Sequence, residues 1–247
     1  MKILFSPSES KRSGGLNLEL SKENFTFSYL YEKRLEVLKH YHTLIQNGDP
    51  LMLQHLFGIK DESKIHSLAS MNLFNAPSLK AIERYTGVAY EYLNYPSLDT
   101  SSQAYIDSHT LIFSNLFGPI LASDLIPEYK LHQGESLNGF KAELFYKEHF
   151  SHAINEWIGD ESILDLRAGF YEKFYTCTSP YITMKFLKHG KVVSHFAKAY
   201  RGYVLREVAR VQPKNENELC DIPFEKLKIY EIKRQKLKQE YIYEIID

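Results

Sequence analysis

A chain of 247 residues, 44% hydrophobic and 25% charged, can bury one sizeable core, and the lack of any low-complexity tract or Pro/Gly/Ser linker excludes an extended or disordered protein. A formal net charge of −1 excludes a protein whose whole surface grips nucleic acid, because non-specific binding needs Lys and Arg against phosphates; a local basic cleft stays open. No apolar signal-peptide core and no run of about 18 apolar residues is present, and Cys177 and Cys220 match no zinc spacing, so the chain reads as cytoplasmic, with reduced thiols and no membrane partner.

The chain begins MKILFSPSESKRSGG, in which Lys2 to Phe5 read as a short buried strand that Pro7 ends, having no N–H to donate to a ladder. From about Ser21 to Gly48 the apolar spacing of Leu35, Leu38, Leu44 and Ile45 predicts a helix closed by Gly48-Asp49-Pro50. The stretch LMLQHLFGIKDESKIHSLAS then reads as two helices joined by a tight turn at Phe57-Gly58-Ile59-Lys60. This outline is helix-hairpin-helix-like, although Lys60 stands where such a module usually has its second glycine. We expect the helical hairpin over about 29–70. Pro77 is expected to open a further helix that Gly87 interrupts, with Tyr85, Tyr90, Tyr92 and Tyr95 close together.

Thr110 to Leu116 predict a strand with a sharp turn at Gly118-Pro119. NGFKAELFYKEHFSHAINEWIG predicts an amphipathic helix buried through Phe140, Leu144, Phe145 and Ile154. Ile163 to Leu166 predict another short buried strand, left through Asp165, Arg167 and Gly169. A hairpin turning at His189-Gly190 leads to a helix with Lys198, Arg201, Arg206 and Arg210, and a closing β-hairpin is expected over about 226–246. The class is mixed α/β (α+β): one compact domain over 1–247, with a mixed parallel and antiparallel sheet and flanking helices.

Three strand exits bring polar groups to loops: Ser6-Pro7-Ser8-Glu9-Ser10-Lys11, Ser114-Asn115 with Gly118, and Asp165-Leu166-Arg167. Strand exits are where rigid sheets usually meet ligands, and Lys198 with Arg201, three apart on a helix, would add cations suited to a phosphate. Taken singly, each of these residues is better explained by a turn, a structural ion pair or a solvated helix face. His149-x-x-His152 has no Glu or Cys to complete a metal site, and no Walker loop, G-x-S-x-G or G-x-G-x-x-G appears, so no metal or cofactor is expected.

Five blocks occur in the order of a known family: ILFSPSESK, NAPSLKAIERYTGVAYEYL, LIFSNLFGPILASDLIPEYKL, ILDLRAGFYEKF and VVSHFAKAYRGYVLREVAR. The chain resembles the YaaA family of bacterial peroxide-stress proteins from its first strand to about Arg210. Family positions fall on Ser6, Pro7, Glu9 and Lys11, on Tyr85, Gly87 and Tyr90, on Asp165, Leu166 and Arg167, and on Lys198, Arg201 and Gly202. Where many members carry Ser-Gly-Leu-Tyr-Gly and then Arg-Pro-Leu-Asp, this chain has Asn115 and Phe117, then Leu121, Ala122 and Ser123 before Asp124, and so lacks that arginine. The resemblance implies a mixed α/β fold of unusual topology, a role in limiting oxidative damage by keeping unincorporated iron low, and double-stranded DNA binding through a basic cleft.

Two functional readings follow. In the first, Ser6, Lys11, Lys60, Tyr85, Arg167, Lys198, Arg201 and Arg206 bind DNA, double-stranded or branched, or another ligand, with the cations on phosphates. In the second, the chain is an enzyme acting on a nucleotide or base, in which Lys11 and Arg167 hold an anion while Glu9, Asp165 or Tyr90 supplies the chemistry. Direct iron binding by Asp, Glu and His lacks ligand spacing.

Overall fold

Lys2–Phe5 form β1, and Ile3, Leu4 and Phe5 are buried because this strand runs through the middle of the main sheet. The computed structural model describes residues 1–246, without the side chains at 194 and 195; Asp247, the last residue of the expected domain, lies outside the described residues. After the β1 exit loop come α1 (Tyr31–Asn47), α2 (Pro50–Phe57) and α3 (Glu62–Ala69). Helical spacing on α1 buries Val37, Leu38, Tyr41, Leu44 and Ile45. The Asp49 carboxylate accepts the Met52 N–H at 2.8 Å and that of Asp61 accepts the Lys64 N–H at 3.1 Å, so each opens its helix as an N-cap. Gly58, at φ 64°, ends α2 in the left-handed region. Residues 21–30, read as the start of a long helix, hold only short 3-10 turns at Lys22–Asn24 and Ser28–Leu30.

Pro77 does not open a helix. It precedes β2 (Ser78–Lys80), which pairs antiparallel with a partner distant in sequence, β5 (Leu125–Pro127). Between these strands lie α4 (Ala81–Arg84), α5 (Val88–Leu93), α6 (Thr100–His109), β3 (Thr110–Ser114) and β4 (Gly118–Leu121). The turn after β3 falls before Gly118, which already pairs with Ser114 as β4 folds back. Next is α7 (Ala142–Ile158), whose buried face is Ala142, Tyr146, Phe150, Ala153, Ile154 and Ile158; Leu144, expected there, is 53% exposed. The last elements are β6 (Ile163–Asp165), β7 (Tyr181–Lys188), β8 (Lys191–Val192), α8 (Ser194–Val211), α9 (Glu216–Cys220), β9 (Leu227–Gln235) and β10 (Lys238–Ile245).

The main sheet runs β4-β3-β1-β6-β7-β10-β9, with β8 on β7. β1 is parallel to β3 and β6, and β7 is parallel to β6 and β10; the pairs β3/β4, β7/β8 and β9/β10 are antiparallel. The sheet is therefore mixed, as the alternation of patterns predicts. One continuous apolar cluster, from Met1 to Ile245, joins sheet and helices.

Candidate functional site

Parallel pairing puts the exits of β1, β3 and β6 on one edge: Phe5 registers with Ile112, and Leu4 with Asp165. From β1 the chain travels to the β3 side of the sheet, and from β6 it continues to β7 on the other side. Neighbouring loops that diverge in this way leave a crevice at the carboxyl ends of their strands. A cavity of about 400 Å³ lies there, with Ser6 to Ser10 from the β1 exit facing Leu166, Ala168 and Tyr171 from the β6 exit. Gly87 to Tyr90, Gln133, and Lys198 with Arg201 of α8 complete the walls.

The β1 exit loop is held from several sides. The Ala168 N–H donates to Ser6 Oγ at 2.8 Å and the Tyr90 hydroxyl donates to the Ser6 carbonyl at 2.9 Å, tying three walls together. Farther along, the Thr86 N–H donates to the Ser10 carbonyl at 3.0 Å and the Arg12 N–H to the Arg84 carbonyl at 2.9 Å, so the loop runs as a ribbon beside residues 84–86. Gly87, at φ 95°, brings the α5 backbone against Ser8: an added Cβ would stand 3.2 Å from Ser8 Oγ. On the opposite flank, Gly202 of α8 packs on the Ala89 carbonyl so closely that no Cβ fits.

The residues proposed from sequence divide by what their polar atoms already do. Glu9 lines the cavity, but its carboxylate accepts from Lys130 Nζ at 3.2 Å and the Gln133 N–H at 3.1 Å and meets His132 Nδ1 at 2.9 Å. Burial alone would raise its pKa; these partners outweigh burial and hold it below the ordinary value. Tyr90 also lines the cavity, with its hydroxyl engaged on Ser6. Lys198 is exposed and Arg201 half-buried, and neither makes a hydrogen bond or ion pair to a described residue. Burial pulls the Arg201 guanidinium below its ordinary value, opposed by the charges of Asp165 and Glu172.

Other proposed residues lie outside the cavity wall. Asp165 and Arg167, 6% and 5% exposed, form a two-pronged buried ion pair: Nη2 to Oδ2 is 2.7 Å and Nε to Oδ1 is 2.9 Å. Arg167 Nη1 also donates to the Tyr171 and Tyr175 carbonyls, so its fork shapes the β6 exit from behind and is not presented to a ligand. Lys11 turns inward, its Nζ 3.9 Å above the Tyr129 ring and 5.2 Å from that of Tyr85, donating to the Ser8 carbonyl at 3.2 Å. Burial pushes its pKa down to about 7. Tyr85 is buried and pairs hydroxyls with Tyr129 at 2.8 Å. Ser114 Oγ and Asn115 Oδ1 join this chain at 2.8 and 3.1 Å from the Tyr129 hydroxyl, which removes the β3 exit from the site. Arg206 donates to the Leu93 and Asn94 carbonyls at the end of α5 and to Ser97 Oγ. Lys60 is exposed on the α2–α3 turn, which adjoins the cavity rim: the Leu56 carbonyl accepts the His132 N–H at 2.8 Å, and Gly58 faces the His132 ring.

Sequence reading missed Gln133 and Tyr171 as wall residues, and the buried cation Arg84. Arg84 donates to the carbonyls of Gly14, Pro77 and Ile126 and to that of Arg12, anchoring the far end of the ribbon. Its only signal was a basic residue on the apolar side of a short helix. Asp124, the family-like residue after Leu121-Ala122-Ser123, is buried and accepts from the Thr26 N–H, the Thr26 hydroxyl and the Leu121 N–H, so it too shapes the fold. His149 packs on Phe145 and His152 meets Glu156, and no group of three or more His, Cys, Asp or Glu placed to hold a metal ion occurs among the described residues. No helix among the described residues is long and apolar enough to cross a membrane.

Residues 1–233 match the family model described as peroxide stress protein YaaA. An uncharacterised protein of Campylobacter jejuni is 51% identical over 247 residues, covering 100% of both chains. A UPF0246 protein of Corynebacterium efficiens is 32% identical over 217 residues, 85% of each chain, and one of Streptomyces coelicolor is 28% identical over 215 residues, 84% of this chain and 82% of its own. Similarity at this level, running nearly end to end, places the β1 exit, the β6 exit and α8 within one matched unit, and the chain belongs to the peroxide stress protein YaaA family.

Proposed function

We propose that this protein acts in the cytoplasmic response to peroxide by binding double-stranded DNA, with phosphates meeting Lys198 and Arg201 at the cleft and Lys60 on the adjoining helical hairpin. One observation carries the reading: Lys198 and Arg201, three residues apart on α8, border a cleft without any hydrogen bond or ion pair to a described residue. Cations so placed recognise phosphate, and phosphate contacts give orientation with little sequence preference. The helical hairpin serves as a helix-hairpin-helix-like support whose turn offers Lys60. Membership of a peroxide-stress family supports the physiological side: DNA held by the protein is shielded from oxidants that peroxide and free iron generate.

Fluorescence anisotropy with duplex and branched DNA over a salt series tests this. The expected result is affinity that falls steeply with salt, with a slope reduced by about 2 in Lys198→Ala/Arg201→Ala, one per lost phosphate contact. Affinity too weak to measure at low salt sinks the reading. The second reading, an enzyme acting on a nucleotide or base, is favoured by the ligand-sized volume of the same cleft.

A further inference from the structure

The polar groups that face the cleft are unbalanced. Ser6 Oγ and Ser8 Oγ each accept a backbone N–H, from Ala168 and Ser10, and keep their own protons to donate. The Tyr171 hydroxyl makes no hydrogen bond to a described residue, and Lys198 and Arg201 add two positive charges. The carboxylate in the wall, Glu9, is occupied by Lys130, His132 and the Gln133 N–H, and Asp165 behind the wall is neutralised by Arg167. Unused donors therefore face the cavity with no unpaired carboxylate among its described lining residues, which calls for an occupant rich in acceptors and carrying more than one negative charge.

Size narrows the choice. A volume of about 400 Å³ is that of a sphere roughly 9 Å across, narrower than even the roughly 12 Å major groove of B-DNA, so a continuous duplex reaches only the rim. A phosphate at a chain end, or on a free nucleotide, can enter. A phosphate monoester also carries between about 1.5 and 2 negative charges at pH 7, against one for each phosphate within a strand. That charge suits the Lys198 and Arg201 pair, while Phe5, Tyr90 and Tyr171 give the cavity an aromatic side for the attached sugar or base.

We infer that the cleft takes a phosphate monoester, either the terminal phosphate of a DNA strand or a free nucleotide, in preference to an internal phosphodiester. The inference rests on the assignment of Lys198 and Arg201 to phosphate made above. It adds Ser8 and Tyr171 as the residues that tell the monoester from the diester, because their donors lie within the cavity and not along a duplex track.

Anisotropy with one duplex bearing 5′-phosphate, 3′-phosphate or hydroxyl ends, a covalently closed circle of the same sequence, and competition by a deoxynucleoside monophosphate tests it. A phosphorylated end should bind roughly tenfold tighter than the hydroxyl end, the worth of one charge-assisted hydrogen bond. Ser8→Ala/Tyr171→Phe should bring that ratio close to 1, with thermal melting of the variant as the folding control. Equal binding of all ends and of the circle, all weakened by Lys198→Ala/Arg201→Ala, overturns the inference and leaves the DNA reading standing. Binding of the free nucleotide without DNA affinity supports the inference, identifies the nucleotide as the source and overturns the DNA reading. Binding to none of the probes overturns both.

Discussion

Arg167 and Arg201 both come from segments at the cleft, yet they do opposite work. Arg167 donates to two carboxylate oxygens and two carbonyls and is 5% exposed, whereas Arg201 makes no hydrogen bond to a described residue and lines the cavity. Residue type and nearness to a strand end do not distinguish such arginines; counting the donors already in use does. The largest test of this contrast is stability. Arg167→Ala leaves Asp165 as an unpaired buried charge and should lower the unfolding free energy by about 3–5 kcal/mol in urea, while Arg201→Ala should change it by less than about 0.5 kcal/mol. Comparable losses in the two variants would show that Arg201 is a fold residue as well.

A smaller effect sharpens the contrast from the α8 side. Gly202 allows α8 to lie directly on α5, and an alanine methyl there meets the Ala89 carbonyl. Gly202→Ala should lower stability by about 1–3 kcal/mol through overpacking. It should also weaken ligand binding, because the shift moves Arg201 relative to Ala89 within the cleft wall. Unchanged binding beside lost stability would show that the distance between α5 and α8 does not set the position of Arg201.

Much of this arrangement was legible in the chain because it rests on local rules. β1 is a short apolar run ended by Pro7, the α2–α3 turn follows from Asp49, Gly58 and Asp61, and the closing hairpin from alternation around RQKLKQ. The strand exits could be named as polar loops for the same reason. What escaped depends on partners distant in sequence. Ser78–Lys80 becomes a strand only because Leu125–Pro127 lies beside it, and Leu144 sits at a position that the turn of α7 directs to solvent. Gln133 and Tyr171 carry no motif, and the tyrosine box around Lys11 joins Tyr85 to Tyr129 across 44 positions. Whether an arginine faces a ligand or a carbonyl is decided by such tertiary contacts.

Lys11 is the third cation in the comparison, and its effect shows only as a dependence on pH. Burial lowers its pKa from 10.5 to about 7; Lys130 adds to the fall, Glu9 and Glu128 resist it, and Arg84 adds a little more. Tyr85 and Tyr129 supply their ring faces to the ammonium. Between pH 7 and 10.5 the unfolded chain holds this proton and the folded chain does not, so stability rises with pH across that window. Below pH 7 both states are protonated and the burial penalty is present in full. Buried tyrosines ionise in the unfolded chain near pH 10 and act in the opposite sense there, so the useful interval is pH 7 to about 9. Over that interval the wild type should gain about 2 kcal/mol from Lys11, and Lys11→Met, which keeps the apolar stem, should flatten the rise. Urea unfolding at half-unit steps of pH measures it. A slope that survives Lys11→Met would mean that another group releases the proton, and that the Lys11 ammonium stays charged between the tyrosine rings and the Ser8 carbonyl.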